Sequence, residues 1–413
     1  MLKWDIIKDE RTMRNELIRV MPRVEVHMLK SSTGLPNRDR SNDQKTIFFG
    51  GDTRLRISSQ CLKHAIRMAA NRLDTFNTCN VGDIVAETIK NLHPDATQEY
   101  LDSVDKIVRW QLTPKDANKA NGKDASNKKD HMFKVCMADI RAFAEYILEE
   151  FPLNKKVDDA EIKYSEKEPA KTAAGRLYIK MKNTVCSRAV SPEIAMFGRM
   201  STSDTLRSVD GAVCMNHAFS TNAMNGDIDE FAAVDEWQKK GVVGAGMLGE
   251  TDINFGEYYH YTGINMLTLM ENILCGVDYA DRDAVQHRME AAKDAVIDFI
   301  RLYAQTAPVA KQTSMASCPR PDCMYITAGV RVAPVSYENA FANSIKAHDK
   351  VDIVTGSVNA LIDAINDDTF DTGGYDKKIW VAGKSFGAPD DAERMTLDMC
   401  LKEIRRYLDS ACG

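Results

Sequence analysis

Basic residues are concentrated in one short stretch of a chain that is acidic overall. Between Leu35 and Arg67, seven lysines and arginines occur with three aspartates, whereas the whole chain of 413 residues has a net charge of −6. Such a local excess of positive charge indicates a binding site for an anion rather than a generally basic protein. The seven basic residues are Arg38, Arg40, Lys45, Arg54, Arg56, Lys63 and Arg67.

A helix is expected to begin at residues 57–60, because the hydroxyl of Ser58 or Ser59 can accept a backbone N–H bond of the first turn. An apolar stripe at helical spacing predicts its buried face: Leu62, Ala65, Ile66, Ala69 and Leu73. A neighbouring polar stripe lies near the N-terminus, where the helix dipole favours phosphate: Gln60, Lys63, His64 and Arg67. A solvated face of an amphipathic helix has the same pattern. The basic loop upstream and the Gly50–Gly51 pair, which lets backbone approach a ligand closely, favour the anion site.

Composition and motifs exclude several classes of protein. A chain with 44% hydrophobic and 28% charged residues has the composition of an ordinary soluble globular protein. Its apolar runs are shorter than the roughly 20 residues of a membrane span, and its first residues lack the apolar core of a signal peptide. We therefore expect a cytoplasmic protein that does not bind membranes.

Cofactor and metal motifs are also missing from the sequence. It contains no Walker loop, HExxH or GxSxG motif, and the GxGxxG pattern from Gly244 lacks a βαβ setting, so residues 241–250 are predicted to be a flexible loop. The ten cysteines are scattered and are expected to be reduced. Cys318 and Cys323 have no second ligand pair nearby, so we expect no metal and no cofactor.

Hydrophobic periodicity predicts an α+β fold. The expected strands are residues 23–31, 209–223, 255–266 and 322–334. The expected helices are 2–20, the one after Ser58, several within 80–150, 281–306, 338–349 and a C-terminal one within 387–410. Residues 114–131 and 366–378 are predicted loops, and the long acidic connection after residue 223 is predicted to form a projecting arm. The order of these elements matches the βαββαβ, ferredoxin-like or RRM plan.

A second basic run covers residues 155–188, with nine lysines and arginines against five acidic residues. It could contact the phosphates of duplex nucleic acid, which requires charge but no particular sequence. An exposed helix of mixed charge explains it equally well.

Residues 27–67 resemble the N-terminal signature of the CasC family, the CRISPR RNA-binding backbone subunit of type I-E Cascade. The resemblance rests on LPNRD, QK, FFGG and RLRISSQCLKHAIR, followed by GRMSTS at 198–203 and DIDEF at 227–231. It implies an RRM-like palm with a large helical insertion and a projecting thumb arm. The implied domains are an N-terminal helical extension (1–22), palm (23–79), helical fingers (80–190), palm with the arm at about 224–249 (191–350), and a C-terminal helical region (351–413).

The resemblance also implies a non-catalytic protein. Several copies would polymerise along a CRISPR RNA, with target DNA and other Cascade subunits as further partners. The implied guide-binding residues of the palm are Arg38, Lys45, Ser58, Gln60, Lys63, Arg67 and, after the last strand, Lys346. The GRM segment adds Arg199 and Met200, although spacing alone favours a core methionine at position 200. In the arm, Phe231 and Leu248 would fill the gap of a displaced base, and Glu230 replaces one aromatic residue of the family pattern.

Two other functions compete with this interpretation. Related type III backbone subunits cut target RNA with a thumb aspartate, and Asp227 and Asp229 lie in the corresponding arm. Carboxylates can hold the metal for such chemistry, but acidic loops are more often only solvated. A small-molecule enzyme with a phosphate-binding loop at 36–67 is the remaining alternative.

Overall fold

The computed structural model describes residues 9–34, 36–39, 43–70, 74–112, 132–158, 160–163, 168–188, 190–233, 237, 247–308, 312–348, 350–371 and 373–412. In this part of the chain, no helix is long and apolar enough to cross a membrane. The predicted loop at 114–131 and the first residues of the predicted helix 2–20 lie outside the described residues.

The helices are α1 Glu10–Val20, α2 Ser59–Ala69, α3 Val81–Leu92, α4 Gln98–Leu112, α5 Met137–Glu150, α6 Ala173–Thr184, α7 Pro192–Phe197, α8 Met266–Ile273, α9 Arg282–Gln305, α10 Gln312–Met315, α11 Ile353–Asn366 and α12 Leu397–Cys412, with 3-10 turns at Pro169–Lys171 and Glu338–Phe341. The strands are β1 Pro22–Thr33, β2 Thr46–Phe49, β3 Asp52–Ile57, β4 Thr75–Thr78, β5 Phe133–Cys136, β6 Val213–Met215, β7 Ala218–Ser220, β8 Asp227–Ala233, β9 Met247–Ile253, β10 Phe255–Asn265, β11 Cys323–Val330, β12 Tyr375–Ala382 and β13 Glu393–Arg394. The fold is therefore α+β, as predicted.

A main sheet organises the molecule, in the order β13-β12-β11-β1-β10-β7-β3-β2, with β6 also paired to β10. Strand β1 lies between β10 and β11 and is antiparallel to both; Val26, for example, is opposite Thr262 and Ile326. The four strands expected for the βαββαβ plan are neighbours in this sheet. Because β1 is central, most of its residues are buried, on both of its faces.

Helices cover both faces of the main sheet. Val24, Val26 and Met28 pack on one side into a core shared with α1, α8, α9 and α12. On the other side, α11 covers Tyr259, Tyr325 and Trp380. Glu25 is buried there and accepts hydrogen bonds from the hydroxyls of Tyr261 and Tyr375, and burial raises the pKa of this carboxyl group. This aromatic face of the main sheet is thus covered by α11.

A second hydrophobic core lies in what we term the helical insertion, residues 74–206. It is built mainly by α3 to α6, with buried side chains such as Val85, Val104, Phe143 and Ile147. Strands β4 and β5 form a separate antiparallel pair beside it. Within residues 80–150, the predicted helical character is confirmed for α3, α4 and α5, while residues 113–131 lie outside the described part and the predicted domain boundaries remain predictions.

Strands β8 and β9 form a two-stranded antiparallel hairpin that is separate from the main sheet and from the β4–β5 pair. Every residue of β8 is exposed. This hairpin, residues 227–233 and 247–253, is hereafter the arm. The prediction of a flexible loop at 241–250 is wrong for residues 247–250, which form part of β9; residues 241–246 lie outside the described residues.

The prediction of a helix at 338–349 is also wrong. Among residues 338–348, which the structure describes, the helical element is a 3-10 turn, Glu338–Phe341. The carbonyl oxygens of Phe341 and Ala342 accept hydrogen bonds from the guanidinium of Arg54, and the N–H of Ile345 donates to Thr221 at 2.9 Å. These tertiary bonds use backbone groups that a continuing helix would need. Helix α11 was not predicted, and β12 begins at Tyr375, inside the predicted loop 366–378.

Candidate nucleic-acid interface

The loop after β1 is held against the start of α2. The backbone carbonyl of Asn37 accepts from the N–H of Lys45 at 3.0 Å, and its side-chain oxygen accepts from the N–H of Ser58 at 2.9 Å. Arg38 forms an isolated β-bridge with Gln44 in the same loop. Helix α2 begins after Ser58 as predicted, but the Ser58 hydroxyl makes no capping bond. The loop therefore places Lys45 near the N-terminus of α2.

Lys45 has a cationic neighbour on β3 and a titratable neighbour just before β7. Its carbonyl oxygen accepts from the N–H of Arg56 at 2.8 Å, and the Arg56 guanidinium lies 3.3 Å from Nδ1 of the exposed His217. Burial, followed by the charges of Arg56 and Lys45, lowers the pKa of His217. Both effects favour the neutral form of the imidazole.

The polar stripe of α2 divides into exposed and anchored side chains. Gln60 and His64 are exposed. The half-buried Lys63 places its Nζ 3.5 Å from the carbonyl oxygen of Val213 and 5.8 Å from the centroid of the Phe197 ring. Burial lowers the pKa of Lys63. The stripe is therefore not a simple solvated face.

Arg67 meets a carboxylate and a lysine from other parts of the chain. Its guanidinium forms an ion pair with Glu193 of α7, and Nζ of Lys134 on β5 lies 3.3 Å from the same carboxylate. Lys134 also lies 5.7 Å from the centroid of the Phe197 ring. Sequence reasoning missed Lys134, because it precedes an ordinary amphipathic helix and no local pattern marks it. We term Lys45, Arg56, Lys63, Arg67 and Lys134 the basic cluster.

The two residues predicted from the GRM segment have opposite environments. Arg199 is 6% exposed and donates to the carboxylate of Asp139 and to the carbonyl oxygen of Arg207, so it ties the helical insertion to the segment before β6. Met200 is 93% exposed. The interpretation of Met200 as a core methionine is therefore wrong. Nζ of Lys134 donates to the carbonyl oxygen of Gly198 at 3.4 Å. Met200 therefore follows, by two residues along the chain, a residue that the basic cluster contacts.

Part of the basic stretch serves the fold. Arg54 is fully buried and donates to the carbonyl oxygens of Ser220, Thr221, Phe341 and Ala342. Gly50 has a positive φ of 61°, and a Cβ there would overlap the carbonyl oxygen of Ala342. Gly50 therefore allows its backbone to approach another segment of the same chain closely, rather than a ligand. Arg40 lies outside the described residues.

Lys346 is exposed and follows Ile345, whose N–H is bonded to Thr221. It lies in an irregular segment rather than in the predicted helix. The arm starts nearby, since the N–H of Met224 donates to Thr53 and the N–H of Gly34 donates to Asn254, both at 2.8 Å. Lys346 and the root of the arm therefore share the end of the main sheet at which β3 begins.

The register of the arm separates its apolar side chains. Phe231 is paired with Gly249, Glu230 with Glu250, and Ala232 with Leu248. Because neighbouring residues of a strand point to opposite faces, Phe231 lies on one face, while Leu248 and the two glutamates lie on the other. Phe231 is 42% and Leu248 is 77% exposed. They therefore cannot fill one gap from the same face, as the sequence interpretation assumed.

The residues considered as metal ligands from the sequence are two aspartates of the arm and two cysteines. Asp227 and Asp229 are exposed on β8, opposite Ile253 and Thr251. Cys318 is exposed and Cys323 is buried. Within the ranges that the structure describes, no group of three or more His, Cys, Asp or Glu side chains is arranged to hold a metal ion.

Comparison with known proteins shows which family the chain belongs to. The family model described as CT1975-like protein matches residues 24–406. The chain belongs to this family. No curated protein matches it significantly.

Solved structures show a similar fold. A chain of a "CRISPR RNA-guided surveillance complex, pre-nicking" is 22% identical, with a TM-score of 0.65, and the match covers 92% of this chain and 100% of that chain. A chain of a "CRISPR RNA-guided surveillance complex" is 18% identical, with a TM-score of 0.60, and the match covers 92% of this chain and 99% of that chain. At these identities the likeness concerns the fold of this CT1975-like protein.

Proposed function

We propose that this chain is a non-catalytic backbone subunit of a type I, I-E-like, CRISPR surveillance complex. Several copies bind the backbone of a CRISPR RNA and present its bases for pairing with target DNA. The observation that carries this proposal is the basic cluster, whose cations come from the loop after β1, from β3, from α2 and from the helical insertion. The similarity of the fold to chains of RNA-guided surveillance complexes supports it.

The chemistry of the cluster suits RNA phosphates rather than bases. Lysine and arginine contacts to phosphates fix the position of a nucleic acid without reading its sequence. In a guide complex, sequence is then read by base pairing. The exposed Lys346, at the end of the sheet where β3 begins, adds a separate cation near the root of the arm. The covered aromatic face of the main sheet favours binding along the cluster instead of across the sheet.

Repetition along one RNA requires that each copy uses two different surfaces. A head-to-tail interface of this kind produces an open filament, whose length must be limited by the RNA and by other subunits. The arm is the exposed element suited to reach the next copy, because its β8 strand is exposed along its whole length. Other Cascade subunits are the expected partners at the filament ends.

Co-purification tests the proposal. The chain is expressed beside its genomic neighbours, and the nucleic acid that it retains is sequenced. We expect a CRISPR RNA of uniform length; loss of all nucleic acid would contradict the proposal and favour the small-molecule enzyme.

The rival nuclease function is tested on the same complex. It is incubated with complementary RNA and magnesium, and Asp227→Ala and Asp229→Ala serve as comparison variants. Regularly spaced cuts that disappear in either variant would replace our proposal with a nuclease that uses arm aspartates.

A further inference from the structure

A cavity of about 250 Å³ opens beside the basic cluster. Helices α2, α7 and α9 enclose it. Its apolar wall consists mainly of Ile66, Ala69, Met196, Phe197, Phe299 and Leu302. The rings of Phe197 and Phe299 are in contact, with centroids 5.9 Å apart. The cavity therefore has an aromatic wall, which suits a flat ring system.

Charged groups stand where the cavity meets the cluster. Nζ of Lys63 and of Lys134 lie 5.8 and 5.7 Å from the centroid of Phe197, one of the wall residues. Arg67 and Glu193 line the cavity and pair with each other. Two cations, Arg67 and Lys134, thus contact this one carboxylate, and Lys63 lies beside the same Phe197 ring as Lys134. The other charged residues of the lining, Asp298 and Arg301, pair with each other. An apolar aromatic cavity next to such cations matches the two halves of a nucleotide, a flat base and a phosphate.

We propose that this cavity receives an unstacked base of the bound RNA, while Lys63 and Lys134 hold the adjoining phosphate. This inference rests on the proposed function, because the base must come from an RNA that lies on the basic cluster. Bases that leave a single strand commonly stack on aromatic side chains. The Arg67–Glu193 pair offers a donor and an acceptor to the edge of the base. An apolar side chain from a second copy of the chain would also pack on this wall, but it would not interact with the cations beside the cavity.

The test fills the cavity without touching the cluster. Ala69 lines the cavity from α2 and is exposed, so Ala69→Trp should occupy the space without disturbing the core. Met68→Trp is the matched control, because Met68 is exposed on the same helix but does not line the cavity. Circular dichroism checks that both variants fold.

The readout is photocrosslinking of guide RNAs that carry 4-thiouridine at one position at a time, followed by mass spectrometry of the peptides. We expect crosslinks from regularly spaced positions to peptides containing Phe197 or Phe299. Ala69→Trp should lose these crosslinks and bind RNA about 5- to 150-fold more weakly, the range for one lost stacked base. Met68→Trp should retain both.

Three results would overturn the inference. In the first, RNA binds with a normal salt dependence but no crosslink maps to the cavity wall, so that the proposed function stands and the inference alone fails. In the second, Ala69→Trp crosslinks as the wild type does. In the third, Ala69→Trp blocks assembly although the wild type shows no crosslink there, which would assign the cavity to a side chain of a second copy. Absence of any bound RNA would refute the proposed function as well.

Discussion

The basic cluster and the arm are expected to act on the same RNA, but their chemistry is opposite. The cluster contains five cations, of which four have side-chain contacts to their own chain, such as Lys63 with Val213 and Arg67 with Glu193. The two strands of the arm contain five carboxylates and no lysine or arginine. Phosphates are therefore attracted by the first region and repelled by the second. We therefore expect the arm to contact RNA through Phe231, Leu248 and its shape, not through attraction between charges.

This difference has a measurable signature. Binding through phosphates releases counterions and weakens steeply with salt, whereas stacking on an aromatic side chain depends little on salt. Variants of the cluster should change the salt dependence of RNA binding. Variants of the arm should change RNA affinity or complex assembly by the same factor at every salt concentration.

The largest effect is expected from Phe231→Ala. Stacking on one base contributes about 1–3 kcal/mol, and repetition along a filament multiplies the loss. The single subunit should fold normally, because Phe231 packs only over Gly249 within the described arm and is not part of a core. Complex yield and target-DNA affinity are measured at one fixed salt concentration, with Leu248→Ala as the variant on the opposite face. Wild-type behaviour of Phe231→Ala would show that the arm does not insert between bases.

The next largest effect is expected from Lys45→Ala and Lys63→Ala. Each should weaken RNA binding with little dependence on guide sequence and reduce the salt slope by about 0.7 to 1 unit per lost phosphate contact. Affinity is titrated at several salt concentrations for guides of different sequence. Lys402→Ala is the control, since Lys402 lies on α12 and pairs with Asp398. A changed preference among guides would indicate direct reading of bases and would remove the contrast with the arm.

Local patterns predicted the elements well where hydrophobic periodicity decides the structure. Strand β1, helix α2 and helix α9 were expected and are present. The helix expected at 338–349 is absent, because Arg54, 287 residues before Phe341, takes carbonyl groups of that segment. Such a contact depends on tertiary structure, and no local window contains it.

The candidate site shows the same limit. A count of basic residues between Leu35 and Arg67 could not separate Lys45, which is half-buried at the surface, from Arg54, which is fully buried. Met200 fits a core residue by its type, yet it is exposed, because the neighbouring Arg199 is the residue held inside by Asp139. Lys134 comes from another part of the chain. Burial of charged residues is decided by tertiary partners, so composition alone overestimates a binding surface.

A smaller effect is expected from Glu230→Ala. Glu230 and Glu250 are directly opposite on β8 and β9, and like charges in such a pair destabilise a hairpin by a fraction of a kcal/mol. Removal of one should leave RNA binding unchanged or make it slightly stronger, since one repulsion toward phosphate also disappears. Glu250→Ala should behave in the same way. A clear loss of binding or assembly in both variants would show that these carboxylates receive a cation from a neighbouring subunit.

The smallest effect is expected from the titration of His217. Burial and the charges of Arg56 and Lys45 lower the pKa of His217 below its ordinary 6.5, so the imidazole is neutral at pH 7.5. As the pH falls through this pKa, the imidazole becomes a further cation beside the basic cluster, and RNA binding should become stronger. A phosphate beside the ring would favour the charged form and shift the transition upward. Affinity is measured between pH 7.5 and 5.5 for the wild type and for His217→Gln, in which this gain should be absent while binding at pH 7.5 is retained. An equal gain in both proteins would place the titrating group elsewhere, and it would separate His217 from the surface that holds the RNA.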